Sequence, residues 1–361
     1  MNSQRELIIP PMGPAWFSSV MGTAILANLI GRKADDHPWF LPLATGLLLI
    51  GTILLVMFTA TYITRWVWKT FHGNTHIRLL PVVDPAWGSV SMGYLAIGAA
   101  LLAIGPRWGL STFAIIGDTF LWWIGTFIGL VTNFSFLAHA LFRHLGQPTP
   151  IWGLAVVGPM VSATTGAILL REYESVGLQF FMLTLSFLCF IIALVHGLII
   201  FALAYGSVKR FQSLPLKDAI SAWIPLGIVG QSTAAAVAIS GSSGLFLRIS
   251  IHPYATTTAI IYAIIMMILG VPMLAFAIHQ TWRAVRNTIP FSPGWWALTF
   301  PVGTMSLGET TLSELPILQG SVLASIAGAI GTSALIFLCF TWTLCASSSV
   351  IATVAHQRRL H

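Results

Sequence analysis

The side chains of this chain that are best suited to bind a solute are neutral polar groups that recur inside five apolar segments. Each segment carries a tryptophan, and a glycine follows it six or seven positions later. The tryptophans are Trp16, Trp87, Trp152, Trp223 and Trp296, and the glycines are Gly22, Gly93, Gly158, Gly230 and Gly303. The residues directly after the glycines are, in the same order, Thr23, Tyr94, Pro159, Gln231 and Thr304.

Hydroxyl and amide groups at a similar depth, with no acidic residue in the middle of the same segments, favour an anion over a cation. We therefore predict that the five glycines and the five residues after them line a path for an anion. The alternative is that these small and polar residues only allow neighbouring helices to pack closely.

Four ionisable residues are candidates for a role in transport. Glu309 lies near the end of the ninth apolar segment and His196 lies within the sixth, and either side chain is a candidate for carrying a coupled proton. Arg171 and Arg248 flank the fifth and seventh segments and are candidates for attracting anions to the mouth of the path. For each of the four, the alternative is an ordinary packing or loop position.

The sequence offers little for catalysis. It has no HExxH zinc motif, no Walker loop and no GxSxG nucleophile motif, and no mid-segment histidines are placed to face each other as haem ligands. We predict that the protein is not an enzyme and that it needs no cofactor and no metal. No basic tract is long enough to indicate nucleic acid as a partner, so the expected partners are membrane lipid and a small anionic substrate.

Composition identifies the elements that must position these residues. Of the 361 residues, 56% are hydrophobic and only 7% are charged, with a mean hydropathy of +0.86. This balance is typical of an integral membrane protein rather than a soluble one. Interruptions by charged residues, proline and polar clusters predict a single all-α domain over 1–361 with ten spans, near 14–31, 40–64, 85–105, 112–142, 150–170, 177–206, 219–240, 254–282, 293–312 and 320–355.

The five tryptophan motifs open the odd-numbered spans at intervals of 71, 65, 71 and 73 residues. One pair of spans is therefore repeated five times, with every copy entering from the same side, and five such hairpins close as a ring around a central pore. The side that holds both termini carries most of the basic residues, which predicts cytoplasmic termini in the inner (plasma) membrane. These residues are Arg5, Arg65, Lys69, Arg78, Arg143, Lys209, Arg210, Lys217, Arg283, Arg286, Arg358 and Arg359.

Three stretches resemble the tellurite-resistance/dicarboxylate transporter (TDT) family: WFSSVMGTAIL in the first span, GPMVSATTGAILL in the fifth and WWALTFPVGT in the ninth. This family includes bacterial tellurite-resistance permeases, fungal malate permeases and sulfite exporters, and the plant slow anion channel. The resemblance covers essentially the whole chain. It implies ten helices in five hairpins around a pore, often as a trimer, and a phenylalanine gate that corresponds here to Phe300.

Pro301 follows this phenylalanine and is expected to break the ninth helix beside the gate. The substrates that the resemblance implies fall into two classes. We expect C4-dicarboxylates such as malate or succinate first, and the alternative is a channel or exporter for chloride, nitrate or sulfite.

Overall fold

The computed structural model describes residues 13–72, 84–142, 145–211, 214–248 and 250–360. Within these residues all regular secondary structure is helical, and it includes ten α-helices. They are α1 (Phe17–Arg32), α2 (Phe40–His72), α3 (Trp87–Ile104), α4 (Ser111–Phe142), α5 (Leu154–Leu169), α6 (Val176–Phe211), α7 (Ile224–Ser243), α8 (His252–Arg286), α9 (Phe300–Ser313) and α10 (Val322–Leu360). Three of the basic residues that predict the topology, Arg5, Arg78 and Arg143, lie outside the described residues.

Nine of the ten described helices are long and apolar enough to cross a membrane, so this is a multi-pass membrane protein. The exception is the predicted ninth span. There the chain forms a short 3-10 helix, Pro293–Leu298. The helix is interrupted at Thr299, and α9 begins at the next residue. Pro301 lies in the first turn of α9, where it has no N–H to continue a helical ladder from the preceding turn. The predicted span is thus two short pieces rather than one continuous helix.

Odd-numbered and even-numbered helices differ in their burial. Within an 18-residue apolar stretch of the span that contains α5, 89% of the residues are buried, against 22% in such a stretch of α8. The odd-numbered helices are also short, at 14 to 20 residues, whereas the even-numbered ones have 32 to 39. The first set therefore forms an inner layer, and the second forms an outer layer with an exposed apolar face.

The five inner helices close a ring in chain order. Helix α1 packs against α3, α3 against α5, α5 against α7, α7 against α9, and α9 returns to α1. Four outer helices, α2, α4, α6 and α10, each cover the seam between two neighbouring inner helices. Helix α8 differs, because it packs mainly on α7 and on the 3-10 helix Leu216–Trp223 that directly precedes α7.

The five repeat glycines lie where helices touch. A Cβ atom on Gly230 would lie 2.3 Å from the backbone nitrogen of Met305 on α9, and one on Gly303 would lie 2.7 Å from the Ile25 side chain on α1. Gly22 lies against Thr299, Gly93 against α1, and Gly158 against Ser91 of α3. The close-packing alternative therefore describes these five glycines better than the predicted role as pore lining.

We expect Gly230→Ala to destabilise the protein, because the new methyl group would meet the α9 backbone, which cannot turn aside as a side chain can. Overpacking of this kind costs about 1–3 kcal/mol of unfolding free energy. The measurement is the Tm of purified protein in detergent, followed by tryptophan fluorescence.

Gly46→Ala is the matched control, since Gly46 also lies in a helix but has no heavy atom within 4 Å of an added Cβ. Its Tm is expected to stay unchanged or to rise slightly, as alanine favours a helix over glycine. Equal Tm values for the two variants would contradict the close contact between α7 and α9.

Candidate functional site

A cavity of about 280 Å³ opens where the N-terminal ends of the five inner helices meet. Every inner helix or its lead-in turn contributes to the wall. The inner part of the wall is mostly apolar and includes Met21, Met92, Val157, Ile224 and Phe300. The helix that carries each of these residues begins within about two turns of the cavity, so five helix N-termini are directed toward one space.

Polar and charged groups occupy the outer part of the same cavity. Asp84, Lys217, Asp218 and Ser221 lie in the segments that lead into α3 and α7, and they all line the wall. The two aspartates outnumber the one lysine, so the charged side chains of this mouth do not themselves favour an anion. The electrostatic contribution that favours an anion therefore comes mainly from the helix N-termini.

Phe300 is the first residue of α9 and lies at the inner end of the cavity, with only 2% of its surface exposed. Pro301 lies beside it and lines the same cavity. An added Cβ on Gly227 of α7 would lie 3.7 Å from the Pro301 ring, so the start of α9 rests closely on α7. The residue predicted as the gate thus lies buried in the wall of this cavity.

A second cavity of about 200 Å³ lies at the opposite ends of α1, α3 and α5. Its wall includes Asn28, Arg32, Arg107, Thr165 and Glu172. Asn28 follows Met21 of the first cavity by seven residues on α1, which places the two cavities about 10 Å apart along that helix. The two cavities therefore lie toward opposite ends of the same ring, with only a short stretch of α1 between them.

The arginines of this second cavity are not the predicted ones. Arg32 donates to Asn28 Oδ1 at 2.9 Å, and Arg107 donates to both carboxylate oxygens of Asp35, at 3.0 and 2.5 Å. The predicted Arg171 instead donates to Ser242 Oγ at 2.8 Å, and Arg248 is exposed between α7 and α8. The signal that identifies Arg32 and Arg107 in the sequence is their position at the far ends of the first two inner segments.

A layer of hydrogen-bonding side chains lies between the two cavities. Thr164 and Gln231 each follow a residue of the first cavity by seven positions on the same helix, and Thr304 follows Phe300 by four, so all three lie on the ring-facing side. Gln231 Nε2 donates to Thr164 Oγ1 at 2.8 Å, and Thr304 Oγ1 donates to the Gly227 carbonyl at 3.3 Å. Gln231 Oε1 is buried and has no partner. This polar layer joins α5, α7 and α9 below Phe300.

The other three residues that follow the repeat glycines are turned away from this layer. Thr23 accepts a hydrogen bond at 2.9 Å from Trp342 of α10, and the Tyr94 hydroxyl pairs with Thr59 of α2 at 2.8 Å. Pro159 lies against α4. The reason is helical phase: the glycine follows its tryptophan by six residues in the first three copies and by seven in the last two, and one residue rotates a position by about 100°.

The two predicted proton carriers also face the outer helices. His196 on α6 pairs through Nδ1 with Asn133 on α4 and packs edge-on against Phe134. Glu309 follows Phe300 by nine residues, which at about 100° per residue places the two side chains on opposite faces of α9. Glu309 is fully buried, and neither of its carboxylate oxygens has a partner.

We expect Glu309→Gln to leave the pH dependence of anion flux unchanged, because this carboxyl group faces away from the ring. The measurement is flux into proteoliposomes from about pH 4 to about pH 8, a range that includes the ordinary pKa values of glutamate and histidine side chains. Glu174→Gln, which removes an exposed acid outside the helices, is the matched control. A pH dependence lost only in Glu309→Gln would place the carboxyl group on the path.

Comparison with known proteins places this ring in a family. The model described as SLAC1: Voltage-dependent anion channel matches residues 11–350. A sulfite efflux pump SSU1 of Arthroderma benhamiae is 24% identical over 315 residues, which are 83% of this chain and 81% of the relative. A sulfite efflux pump SSU1 of Candida albicans is 22% identical over an alignment of 369 residues, which covers 90% of this chain and 72% of the relative. An uncharacterized transporter of Methanocaldococcus jannaschii is 27% identical over 305 residues, covering 82% of each.

Proposed function

Because this chain belongs to the voltage-dependent anion channel family, we propose that it moves small inorganic anions across the membrane, with sulfite as the first candidate. The observation that carries the proposal is the pair of cavities at opposite ends of one helical ring, with Phe300 and a neutral polar layer between them. Such an arrangement is a path that is closed in this conformation.

In the proposed path an anion enters the first cavity, where five helix N-termini lower the cost of bringing a negative charge out of bulk water. It then meets the apolar narrowing at Phe300. A buried aromatic ring obstructs the path sterically and also disfavours water, so rotation of Phe300 is the step that opens it. The backbone is irregular at Thr299 and Pro301, so Phe300 lies at a break between two helical pieces rather than within one continuous helix.

The polar layer below the gate supports selection for anions. Thr164, Gln231 and Thr304 offer hydroxyl and amide groups but no carboxylate. Their donors bind one another and backbone carbonyls in this closed conformation, so these side chains have to turn from those partners to replace part of the hydration shell of an anion. Beyond the layer lies Arg32, which donates to a neutral partner, Asn28, in a cavity whose wall also includes Arg107 and Glu172. We propose Arg32 as the residue that receives the anion in the second cavity.

Two observations favour inorganic anions over the C4-dicarboxylates that the sequence analysis placed first. Relatives that cover most of this chain are named sulfite efflux pumps. In addition, the direct bond between Gln231 and Thr164 makes the polar layer narrow, and a compact anion passes such a layer with less displacement of side chains than a four-carbon diacid. Export is the proposed direction, following the named activity of these relatives.

The remaining features of the architecture belong to the same proposal. We propose that residues 1–361 form one domain of five hairpins in the plasma membrane, with both termini in the cytoplasm and the first cavity open to that side. We also propose a homotrimer in which each chain has its own path, as the family resemblance implies. The mass of the purified complex tests the trimer, and protease protection of tags at the two termini tests the topology.

Removal of the gate gives the first functional test. We expect Phe300→Ala to raise anion flux in proteoliposomes by about tenfold, which corresponds to ~1.4 kcal/mol of barrier, because the ring no longer fills the narrowing. Phe340→Ala is the matched control, since Phe340 is 65% exposed on the outer face of α10. Unchanged flux in folded Phe300→Ala protein would exclude this side chain as the gate.

Substrate choice is tested by direct comparison of sulfite, chloride, nitrate and malate as the transported anion. We expect sulfite flux to exceed malate flux by about tenfold or more, equal to ~1.4 kcal/mol of discrimination at the polar layer. Each anion is measured in proteoliposomes with an imposed voltage and again with an imposed pH gradient. Saturable malate flux that exceeds sulfite flux would return the dicarboxylate function to first place.

A further inference from the structure

The outer surface of the protein carries a long apolar groove between α8 and α10, with a volume of about 800 Å³. One wall is formed by α8 residues from Met267 to Val285, and the other by α10 residues from Ala329 to Phe337. The floor consists of Val302 and Met305 on α9 and Leu226 on α7. We refer to this feature as the outer groove.

The outer groove exists because one seam of the inner ring lacks its cover. Each of the other outer helices bridges two neighbouring inner helices, whereas α8 packs mainly on α7 and covers little of α9. Small side chains deepen the gap, since Gly270 lies on one wall and Ala329 and Ser333 lie on the other. Apolar surface of this size requires an apolar occupant in the folded, membrane-embedded protein.

Position and length indicate that the occupant is a lipid chain. Eighteen residues separate Met267 from Val285, so the groove follows α8 for about 27 Å, close to the thickness of a bilayer hydrocarbon core of about 30 Å. The walls and floor contain aliphatic and aromatic groups along this length, with no charged side chain between them. The α10 wall, from Ala329 to Phe337, is shorter, at about 12 Å. An acyl chain can therefore lie along α8, with protein on three sides over that shorter part of the groove.

The basic end of the groove indicates the headgroup. Trp282 lines the groove near the C-terminal end of α8 and is 51% exposed. The guanidinium of Arg286, one turn later, lies 3.7 Å from the centroid of the Trp282 ring. A tryptophan and an arginine at the end of a span occupy the depth of the lipid headgroups. The stacking fixes the Arg286 charge beside the mouth of the groove, where it faces the phosphate layer.

We propose that the outer groove binds an anionic phospholipid, with an acyl chain between α8 and α10 and the phosphate on Arg286. The lipid supplies the cover that α8 does not give to α9. Its chain contacts Val302 and Met305, which follow Phe300 by two and five residues on the same helix. The bound lipid thus forms part of the packing that holds the back of the gate-bearing helix.

Native mass spectrometry of the purified full chain tests this site without any measurement of transport. The delipidated protein is mixed with phosphatidylglycerol or, at the same concentration, phosphatidylcholine, and the retained lipid adducts are counted. We expect several-fold more phosphatidylglycerol than phosphatidylcholine to be retained. Arg286→Gln should reduce phosphatidylglycerol to the level of phosphatidylcholine, whereas Lys209→Gln, which removes an exposed charge at the end of α6, should not.

A second variant tests the groove itself. Ser333→Trp places a large side chain in the groove at an exposed position of α10, and we expect it to reduce retention of both lipids while Arg286 keeps its charge. Equal retention by Arg286→Gln and Lys209→Gln, together with no effect of Ser333→Trp, would overturn the proposal. A changed oligomeric mass in Ser333→Trp without any lipid adduct would also overturn it, since the occupant would then be a second copy of this chain.

Discussion

The architecture depends on how closely the short helix α9 approaches α7 and α1. Helices in a membrane gain little from hydrophobic burial against each other, so their association rests on van der Waals contact over surfaces that fit. Gly230 lets the α9 backbone touch α7, and Gly22 and Gly303 do the same where α9 meets α1. These contacts close the ring of inner helices. They also fix the position of Phe300, because the first turn of α9 lies between the two contacts.

Closure of the ring in turn makes the irregular backbone of the ninth segment tolerable. A break at Thr299 and Pro301 leaves peptide groups without helical partners, which in contact with lipid would cost several kcal/mol each. Here the segment is buried, and its peptide groups find partners within it: the Thr299 N–H donates to the Trp296 carbonyl at 3.1 Å, and Thr299 Oγ1 donates to the same carbonyl at 2.7 Å. The break that positions the proposed gate is thus stabilised by its neighbours.

The sequence was sufficient to predict the helices and their division into two layers, because composition and the tryptophan repeat report directly on span and burial. It was not sufficient to predict which side chains face the centre of the ring. One additional residue between tryptophan and glycine rotates Gln231 and Thr304 toward the ring, while Thr23 and Tyr94 turn to the outer helices. The prediction for Glu309 rests on depth alone, and depth along a helix says nothing about which face a side chain occupies.

The distribution of charge in the ring is consistent with fast passage of an anion rather than tight binding. The polar layer of Thr164, Gln231 and Thr304 contains no carboxylate, and the arginines closest to it lie at the far end, where Arg107 pairs with Asp35, Arg32 pairs with Asn28, and Glu172 lines the same cavity. A guanidinium within the narrow layer would hold an anion strongly and slow its release, whereas neutral donors bind it weakly. In the proposed path, arginines that lie beyond the layer rather than within it would attract the anion without trapping it at the polar layer.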